Sequence, residues 1–171
     1  AAPGFLETML SELHCDHRLE GEIAIVENTA IRPFWTRNIW LEPFTARFDS
    51  ISQAAGILRA IQRNWAPCPA TLARRTAHIA AALPPLPSKP RPFPFALPQT
   101  PMGAFMLLDE QTLFASASCS CPFPAGEIHF QENKDDPPSR AYLKLWEALT
   151  LAGAHPLPGQ RCLDAGSSPG G

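Results

Sequence analysis

The sequence predicts an α/β protein: an α+β amino-terminal region followed by a helix–strand unit. Two stretches with apolar residues at helical spacing, Ser50–Trp65 and Ala70–Leu83, predict amphipathic helices. Two apolar runs, Ala104–Leu108 and Thr112–Cys119, flank a polar turn and predict a β-hairpin. A helical stretch that begins at Ser139 and leads into a strand adds the alternation typical of α/β folds.

The stretch Ser50–Trp65 carries the clearest helix signals. Ser50 is a favourable N-cap, and the prolines at 67 and 69 end the helix. Its apolar stripe consists of Ile51, Ala54, Leu58, Ile61 and Trp65. Arg59 and Arg63 lie four residues apart, so we expect them to project together from another face of this helix.

Shorter elements are predicted around these helices. Phe5, Met9 and Leu13 predict a helix over Gly4–Leu13. Asn38–Phe48 contains Pro43, which favours an edge strand or a bulge over a central strand. Further short strands are expected at Glu22–Val26, Phe93–Leu97, Ile128–Phe130 and Arg161–Asp164. We expect Tyr142, Leu145, Trp146 and Leu149 to form the core face of the helix that Ser139 caps.

Composition indicates a globular chain with one stiff segment. The 171 residues are 45% hydrophobic and 18% charged, which excludes a disordered protein. Twenty prolines are many, and their cluster at 84–101 predicts an extended connection. The polar stretch Asn133–Pro138 marks a domain boundary, so we expect one domain over residues 1–133 and the start of another over 134–171.

Cysteine usage and hydropathy favour a soluble, cytoplasmic protein without a membrane partner. No run approaches the ~20 apolar residues of a membrane span. The five cysteines cannot all pair, and none forms the C-x-x-C spacing of a zinc site. Cys119 and Cys121 lie on one face of a predicted strand. Cys15-Asp16-His17 offers ligand types, but free thiols that are at least half-buried are the simpler interpretation in both places, and no metal is expected.

Charge is distributed unevenly along the chain. The net charge is −2, but residues 1–49 and 109–171 each carry net −4, whereas residues 50–108 carry +6 without a single acid. The six bases of this middle region are Arg59, Arg63, Arg74, Arg75, Lys89 and Arg91. A basic region between acidic ends is typical of a surface that binds a polyanion. The same six bases could equally serve only to solvate two helices.

Two aromatic residues stand among basic ones. Phe34 and Trp35 follow Arg32 and precede Arg37. Such interleaving is compatible with stacking on unpaired nucleobases. Aromatic residues of a chain this size more often belong to the core, and both interpretations stay open.

The carboxyl end of the sequence combines a short apolar run with a turn. Cys162 and Leu163 lead through Asp164 into Gly166-Ser167-Ser168-Pro169-Gly170-Gly171. At the carboxyl end of a parallel strand, such a turn approaches ligands closely, and Asp164 is placed to accept hydrogen bonds. A flexible tail has the same composition.

Two motifs that follow one another along the chain favour the ligand-binding turn over the flexible tail. The segment S-R-A-x-x-K-L at Ser139–Leu145 is followed some twenty residues later by L-D-A-G-S-S-P-G-G. Together they resemble the opening of the FtsJ/RrmJ-type RNA ribose 2′-O-methyltransferases, and most closely the branch that methylates cytidine in large-subunit ribosomal RNA. The motifs cover residues ~135–171, and the similarity is looser over the preceding hundred residues.

The resemblance implies a fold and a set of ligands. It implies a THUMP-like RNA-binding region followed by a truncated Rossmann-like methyltransferase domain that uses S-adenosyl-L-methionine. The expected partner is RNA, and ribosomal RNA in particular. The residues implied in cofactor binding are Ser139, Ala141, Asp164, Gly166, Ser167, Ser168, Pro169, Gly170 and Gly171. Relatives often carry a hydroxyl where Ala141 stands, so a contact there would use the backbone.

The resemblance also implies a catalytic lysine. FtsJ-type enzymes use a Lys-Asp-Lys-Glu set, and the lysine of the S-R-A-x-x-K-L motif falls on Lys144. A lysine can assist removal of the ribose hydroxyl proton or hold the developing alkoxide. The other three members would follow Gly171, so we expect the natural protein to be longer and this piece alone to be inactive. The alternative for Lys144 is a surface ion pair with Glu147.

Two other functions remain compatible with the sequence. The chain could be a non-catalytic RNA-binding module with a vestigial methyltransferase motif. It could also be an α/β domain that binds another nucleotide at its Gly-rich turn, although the S-R-A-x-x-K-L segment counts against this.

Overall fold

The computed structural model describes residues 1–27, 32–133, 135 and 139–163. These residues belong to two compact units, one of Ala1–Pro87 with Thr100–Glu127 and one of Ser88–Gln99 with Ile128–Gly171. The division differs from the expected boundary after residue 133, because part of the proline-rich stretch joins the second unit. The Arg91 amide donates to the His129 carbonyl, and the Gln131 amide donates to the Arg91 carbonyl, each at 2.8 Å.

The described elements alternate between helices and short strands. In chain order they are α1 (Leu6–Leu13), β1 (His17–Glu20), β2 (Ile23–Val26), β3 (Trp40–Leu41), β4 (Phe44–Arg47), α2 (Ile51–Ile61), β5 (Trp65–Pro67), α3 (Ala73–Ala81), β6 (Gly103–Asp109), β7 (Thr112–Ser116), β8 (Ser118–Cys119) and α4 (Tyr142–Leu151). This composition confirms the predicted mixed α/β class. None of the helices within the described ranges has the length and apolar character needed to cross a membrane.

A four-stranded sheet organises the first unit. Its strand order is β4-β7-β6-β5, with β5 parallel to β6 and the other pairs antiparallel. The predicted hairpin is confirmed as β6 and β7. The stretch 38–48 divides into β3 and β4 at Glu42, whose φ is +49°, and β4 lies at the sheet edge as Pro43 indicated.

Helices α2 and α3 cover one face of this sheet. Leu58 of α2 and Ile79 of α3 are fully buried with Phe105, Leu107 and Leu113 of the sheet. The Ser50 hydroxyl caps α2 by accepting from the Gln53 amide at 3.2 Å, as predicted. On the opposite face, Trp40 stacks on Phe114 with ring centroids 5.7 Å apart.

The expected carboxyl end of α2 is wrong by one turn. The helix ends at Ile61, and Trp65 instead begins β5. The Trp65 indole nitrogen donates to the Leu58 carbonyl at 2.9 Å, so this side chain satisfies a backbone group at the helix end. Trp65 therefore packs in line with the apolar stripe of α2, although it lies beyond the end of that helix.

A separate hairpin precedes the sheet. Strands β1 and β2 pair antiparallel across Gly21, which has a φ of +61°. The sequence predicts β2 but misses β1, whose residues are mainly polar and exposed and so lack an alternating pattern. Strand β3 pairs with β8 in another two-stranded sheet.

The second unit is built around α4 and an aromatic cluster, defined as Phe93, Phe130, Tyr142 and Trp146. Phe93 and Trp146 stack with centroids 4.8 Å apart, and Tyr142 meets Trp146 edge-on at 4.6 Å. The Tyr142 hydroxyl donates to the Asn133 carbonyl at 3.0 Å. Residues distant in sequence thus converge on one face of α4.

Several expectations for the second unit are wrong. Ser139 is not the N-cap of α4, because its hydroxyl accepts from the Ala141 amide before the helix begins. Leu145 is 59% exposed and does not belong to the core face. The strands expected at Phe93–Leu97 and Ile128–Phe130 are not formed. Instead, Arg91 and Phe130 form an isolated bridge. Residues 161–163 are exposed and outside any strand, and Asp164 lies outside the described residues.

Candidate functional site

Lys144 lies in the first turn of α4, and its side chain is exposed. It forms no ion pair with Glu147, nor with any other carboxylate of the described ranges. The surface ion pair considered for Lys144 is therefore absent. Because the ammonium is exposed, the described residues do not desolvate it.

An open cleft of about 420 Å³, here called the Lys144 cleft, surrounds this side chain. Its basic lining residues are His129, Arg140 and Lys144, and its acidic ones are Glu132 and Glu147. Arg140 lies in the turn before α4 and Lys144 lies in its first turn, and both line the cleft. The cleft therefore presents cations beside carboxylates.

Arg140 is held by Glu132. Its guanidinium nitrogen lies 2.6 Å from the Glu132 carboxylate, and 76% of the Arg140 side chain remains exposed. Glu132 lies two residues after Phe130, which forms the bridge with Arg91. The ion pair therefore connects the segment after residue 128 to the turn before α4. The sequence motifs assigned no separate role to Arg140 or Glu132.

A second open cavity, of about 520 Å³, lies on the other side of Glu132. Phe93, Pro92 and Trp146 form its apolar walls. Its polar lining consists of Gln131, Glu132, Asn133 and Asp135. We call it the acceptor pocket. Sequence analysis missed it because its walls come from three separate stretches of chain.

The residues implied in cofactor binding are only partly described. Ser139 and Ala141 lie in the exposed turn before α4, where the Ala141 amide donates to the Ser139 hydroxyl and the Ala141 carbonyl accepts from the Lys144 amide. Asp164, Gly166, Ser167, Ser168, Pro169, Gly170 and Gly171 lie outside the described residues.

The six bases expected to bind RNA are divided between the two units. Arg59, Arg63, Arg74 and Arg75 belong to the first unit, whereas Lys89 and Arg91 belong to the second. Arg63 follows the end of α2, so the predicted helical pairing with Arg59 is wrong, although both side chains are exposed.

Two of these bases are engaged within the protein. The Arg75 guanidinium lies 5.5 Å from the Phe48 ring centre, and Arg75 is half-buried. Arg91 lies 5.1 Å from the Phe95 ring centre. Such cation–π contacts stabilise a cation against an aromatic face. In the first unit, the exposed members are Arg59, Arg63 and Arg74.

Phe34 and Trp35 have different environments. The Trp35 ring stacks on Phe5 with centroids 3.9 Å apart, whereas Phe34 is 83% exposed. Arg37 is paired with Glu127 at 2.9 Å, and Glu12 accepts from the Phe34 amide. Trp35 is thus a packing residue, and the exposed Phe34 ring lies beside an acidic helix, which disfavours a nearby phosphate.

The cysteines are free, as predicted. Cys119 and Cys121 are buried, whereas Cys15 is exposed, so the expectation of burial is wrong for Cys15. Burial raises the pKa of the Cys119 thiol to about 11. The described part of the chain contains no group of three potential ligands close enough to hold a metal ion.

Comparison of this chain with protein-family models, with curated proteins and with solved structures yields no match.

Proposed function

We propose that this chain supplies the RNA-binding region and the first catalytic lysine of an enzyme that methylates a ribose 2′-hydroxyl of RNA, with ribosomal RNA as the substrate class. The order of the two carboxyl-terminal motifs supports this proposal. The observation that carries it furthest is the exposure of Lys144 on a cleft, free of the ion pair with Glu147. A lysine committed to a surface ion pair would have counted against a catalytic role.

Methyl transfer to a ribose requires that O2′ attack the methyl carbon in line as the hydroxyl proton leaves. S-adenosyl-L-methionine, when bound, supplies the activated methyl group. Lys144 would lie beside O2′ and hold the developing negative charge through its N–H groups. Arg140, which precedes α4 and lines the same cleft, would attract the adjoining phosphates.

The exposed arginines of the first unit support binding of the RNA backbone. Helices α2 and α3 pack side by side on one sheet face, so their outer sides form one layer. Arg59 and Arg74 project from this layer, and Arg63 follows directly after α2. Phosphate contacts of this kind give affinity that decreases steeply with salt.

The RNA-binding part of the proposal is tested with the chain itself. We expect Arg59→Gln, Arg63→Gln and Arg74→Gln together to weaken RNA binding and to reduce the salt slope by roughly 0.7 to 0.9 per lost phosphate contact. Arg18→Gln is the control, because Arg18 is exposed and belongs to β1 rather than to α2 or α3. Equal RNA affinity and salt slope in the triple variant and the control would refute the basic layer.

The catalytic part is tested with the protein as its natural gene encodes it. We expect Lys144→Ala to abolish transfer of labelled methyl to RNA while RNA binding persists. Arg18→Ala is the control, because Arg18 is exposed, belongs to the first unit and lies outside the lining of the Lys144 cleft. Full methyl transfer by Lys144→Ala would remove the catalytic assignment.

A non-catalytic RNA-binding module is the second candidate. It is favoured by the placement of Arg59, Arg63 and Arg74 in a unit that contains none of the methyltransferase motif residues. Salt-sensitive RNA binding without any binding of S-adenosyl-L-methionine by the natural protein would select this candidate.

A further inference from the structure

The acceptor pocket differs in chemistry from the adjoining Lys144 cleft. Among the described residues, its lining contains two carboxylates and two amides but no lysine, arginine or histidine. The Glu132 carboxylate is engaged by Arg140, whereas the Asp135 carboxylate is exposed and has no ion-pair partner within the described ranges. The pocket therefore offers a hydrogen-bond-accepting carboxylate above an apolar wall, and it disfavours an anion.

The apolar wall is held in place by contacts that do not involve a ligand. Trp146 is packed by Phe93 on one side and meets Phe130 edge-on at 5.6 Å. The Tyr142 hydroxyl bonds both the amide and the carbonyl of Asn133, which fixes the polar rim relative to α4. A preformed wall and rim reduce the entropy lost on binding.

The acceptor pocket and the Lys144 cleft lie along the same two extended segments. Ser88 and Pro90 line the cleft, and Pro92 and Phe93 line the pocket. Glu132 lines both. Because Glu132 contributes to both linings, the two cavities adjoin each other.

We propose that the acceptor pocket binds the nucleobase of an RNA nucleotide whose ribose and phosphate lie at the Lys144 cleft, and that Asp135 selects a base with an exocyclic amino group. This inference rests on the proposed function, because it assigns the base pocket of the same site. The cavity of about 520 Å³ lies within the size range of small-molecule sites.

The selection follows from the hydrogen-bonding edges of the bases. Adenine, cytosine and guanine each present an amino group that donates to a carboxylate. Uracil presents two carbonyl oxygens around a single N–H, so its oxygens would meet the Asp135 carboxylate acceptor to acceptor. The neighbouring Gln131 side chain is exposed and carries an amide that donates to base carbonyl or ring nitrogen acceptors.

The test is binding of the four nucleoside 5′-monophosphates to the chain, followed by tryptophan fluorescence. We expect AMP, CMP and GMP to bind at least about tenfold more tightly than UMP. Trp146→Phe should remove most of the fluorescence change, because Trp146 is the tryptophan in the pocket wall. Asp135→Asn should weaken the three amino-bearing nucleotides and tighten UMP, because the asparagine amide donates to a carbonyl.

Asp16→Asn is the matched control, since Asp16 is exposed and belongs to the first unit. Equal affinity for all four nucleotides, no binding of any of them, or equal effects of Asp135→Asn and Asp16→Asn would each overturn the base pocket. Asp135 is exposed, so its replacement should leave folding intact, which far-ultraviolet circular dichroism verifies.

The two proposals fail in distinguishable ways. Selective mononucleotide binding without any Lys144-dependent methyl transfer would retain the base pocket and remove the enzymatic function. Lys144-dependent methyl transfer without mononucleotide selectivity would retain the function and remove the base pocket.

Discussion

The two compact units bury their side chains in different ways. The first unit surrounds a four-stranded sheet whose residues Phe105, Met106, Leu107 and Leu113 are fully buried. In the described part of the second unit, only Phe130 and Thr150 are buried. Its packing depends on the aromatic cluster, where rings meet face to face and edge to face.

This difference has a physical origin. Strands in a ladder place alternate side chains on one face and thereby build a continuous core. Helix α4 is apolar on most of its circumference, yet Leu145 and Leu151 are 59% and 45% exposed. The two units should therefore differ in stability, and the cavities proposed to bind RNA lie in the one with the smaller core. Binding regions are commonly drawn from the less stable parts of a protein.

The largest expected effect is in the sheet core. Phe105→Ala removes a fully buried ring and should lower the free energy of unfolding by about 3–5 kcal/mol. The matched change in the second unit is Leu145→Ala, which removes a mostly exposed side chain and should cost less than about 0.5 kcal/mol. Urea denaturation followed by far-ultraviolet circular dichroism measures both. Comparable losses would show that the burial difference does not determine stability.

A smaller effect is expected in the aromatic cluster. Trp146→Ala removes the ring that contacts Phe93, Phe130 and Tyr142, and it should destabilise the second unit by about 2 kcal/mol because Trp146 is only half-buried. Limited proteolysis should then cleave near α4 while the first unit resists. Simultaneous loss of protection in both units would contradict their separate packing.

Serine residues near the helix starts provide a further comparison of the two units. Ser50→Ala deletes the hydroxyl that accepts from the Gln53 amide and should cost about 1 kcal/mol. Ser139→Ala should leave the stability of α4 nearly unchanged, because Ser139 does not cap that helix. Thermal denaturation of the two variants compares them directly. A larger effect of Ser139→Ala would restore the cap that the sequence predicted.

The smallest effect near neutral pH comes from Cys119. Burial raises the pKa of this thiol from 9.0 to about 11, so the folded protein retains its proton longer than the unfolded chain. The resulting contribution to stability is complete below pH 9 and is lost as the pH rises toward 11. Denaturation curves between pH 7 and 11 should show a decline that Cys119→Ala lessens. An identical decline in that variant would assign it to other groups.

Local patterns predicted most of the first unit. Apolar spacing located α2, α3 and the β6–β7 hairpin, because each face that contacts the core repeats with the period of its own element. The same logic failed for α4, where apolar residues on nearly all sides do not indicate which face is covered. Spacing along the chain selected Leu145 as a core residue, and only the placement of Phe93 and Phe130 shows that Trp146 and Tyr142 define the packed face.

The candidate site was predictable to the extent that it lies within one segment. Sequence motifs alone selected Lys144. They did not reveal the Arg140–Glu132 ion pair or the acceptor pocket, because those features combine residues 88–93, 131–135 and α4. The sequence likewise did not reveal the cation–π contact between Arg75 and Phe48, since the two residues are distant in sequence.

The sequence by itself determined which segments form helices and strands in the first unit, which serine caps α2, and which lysine is the candidate catalyst. These properties depend on periodicity and on neighbours within one or two turns. The tertiary structure decided which arginines remain exposed, where Trp65 packs and which side chains meet around Lys144. Those outcomes depend on contacts between distant segments, whose formation is governed by the packing of the whole unit.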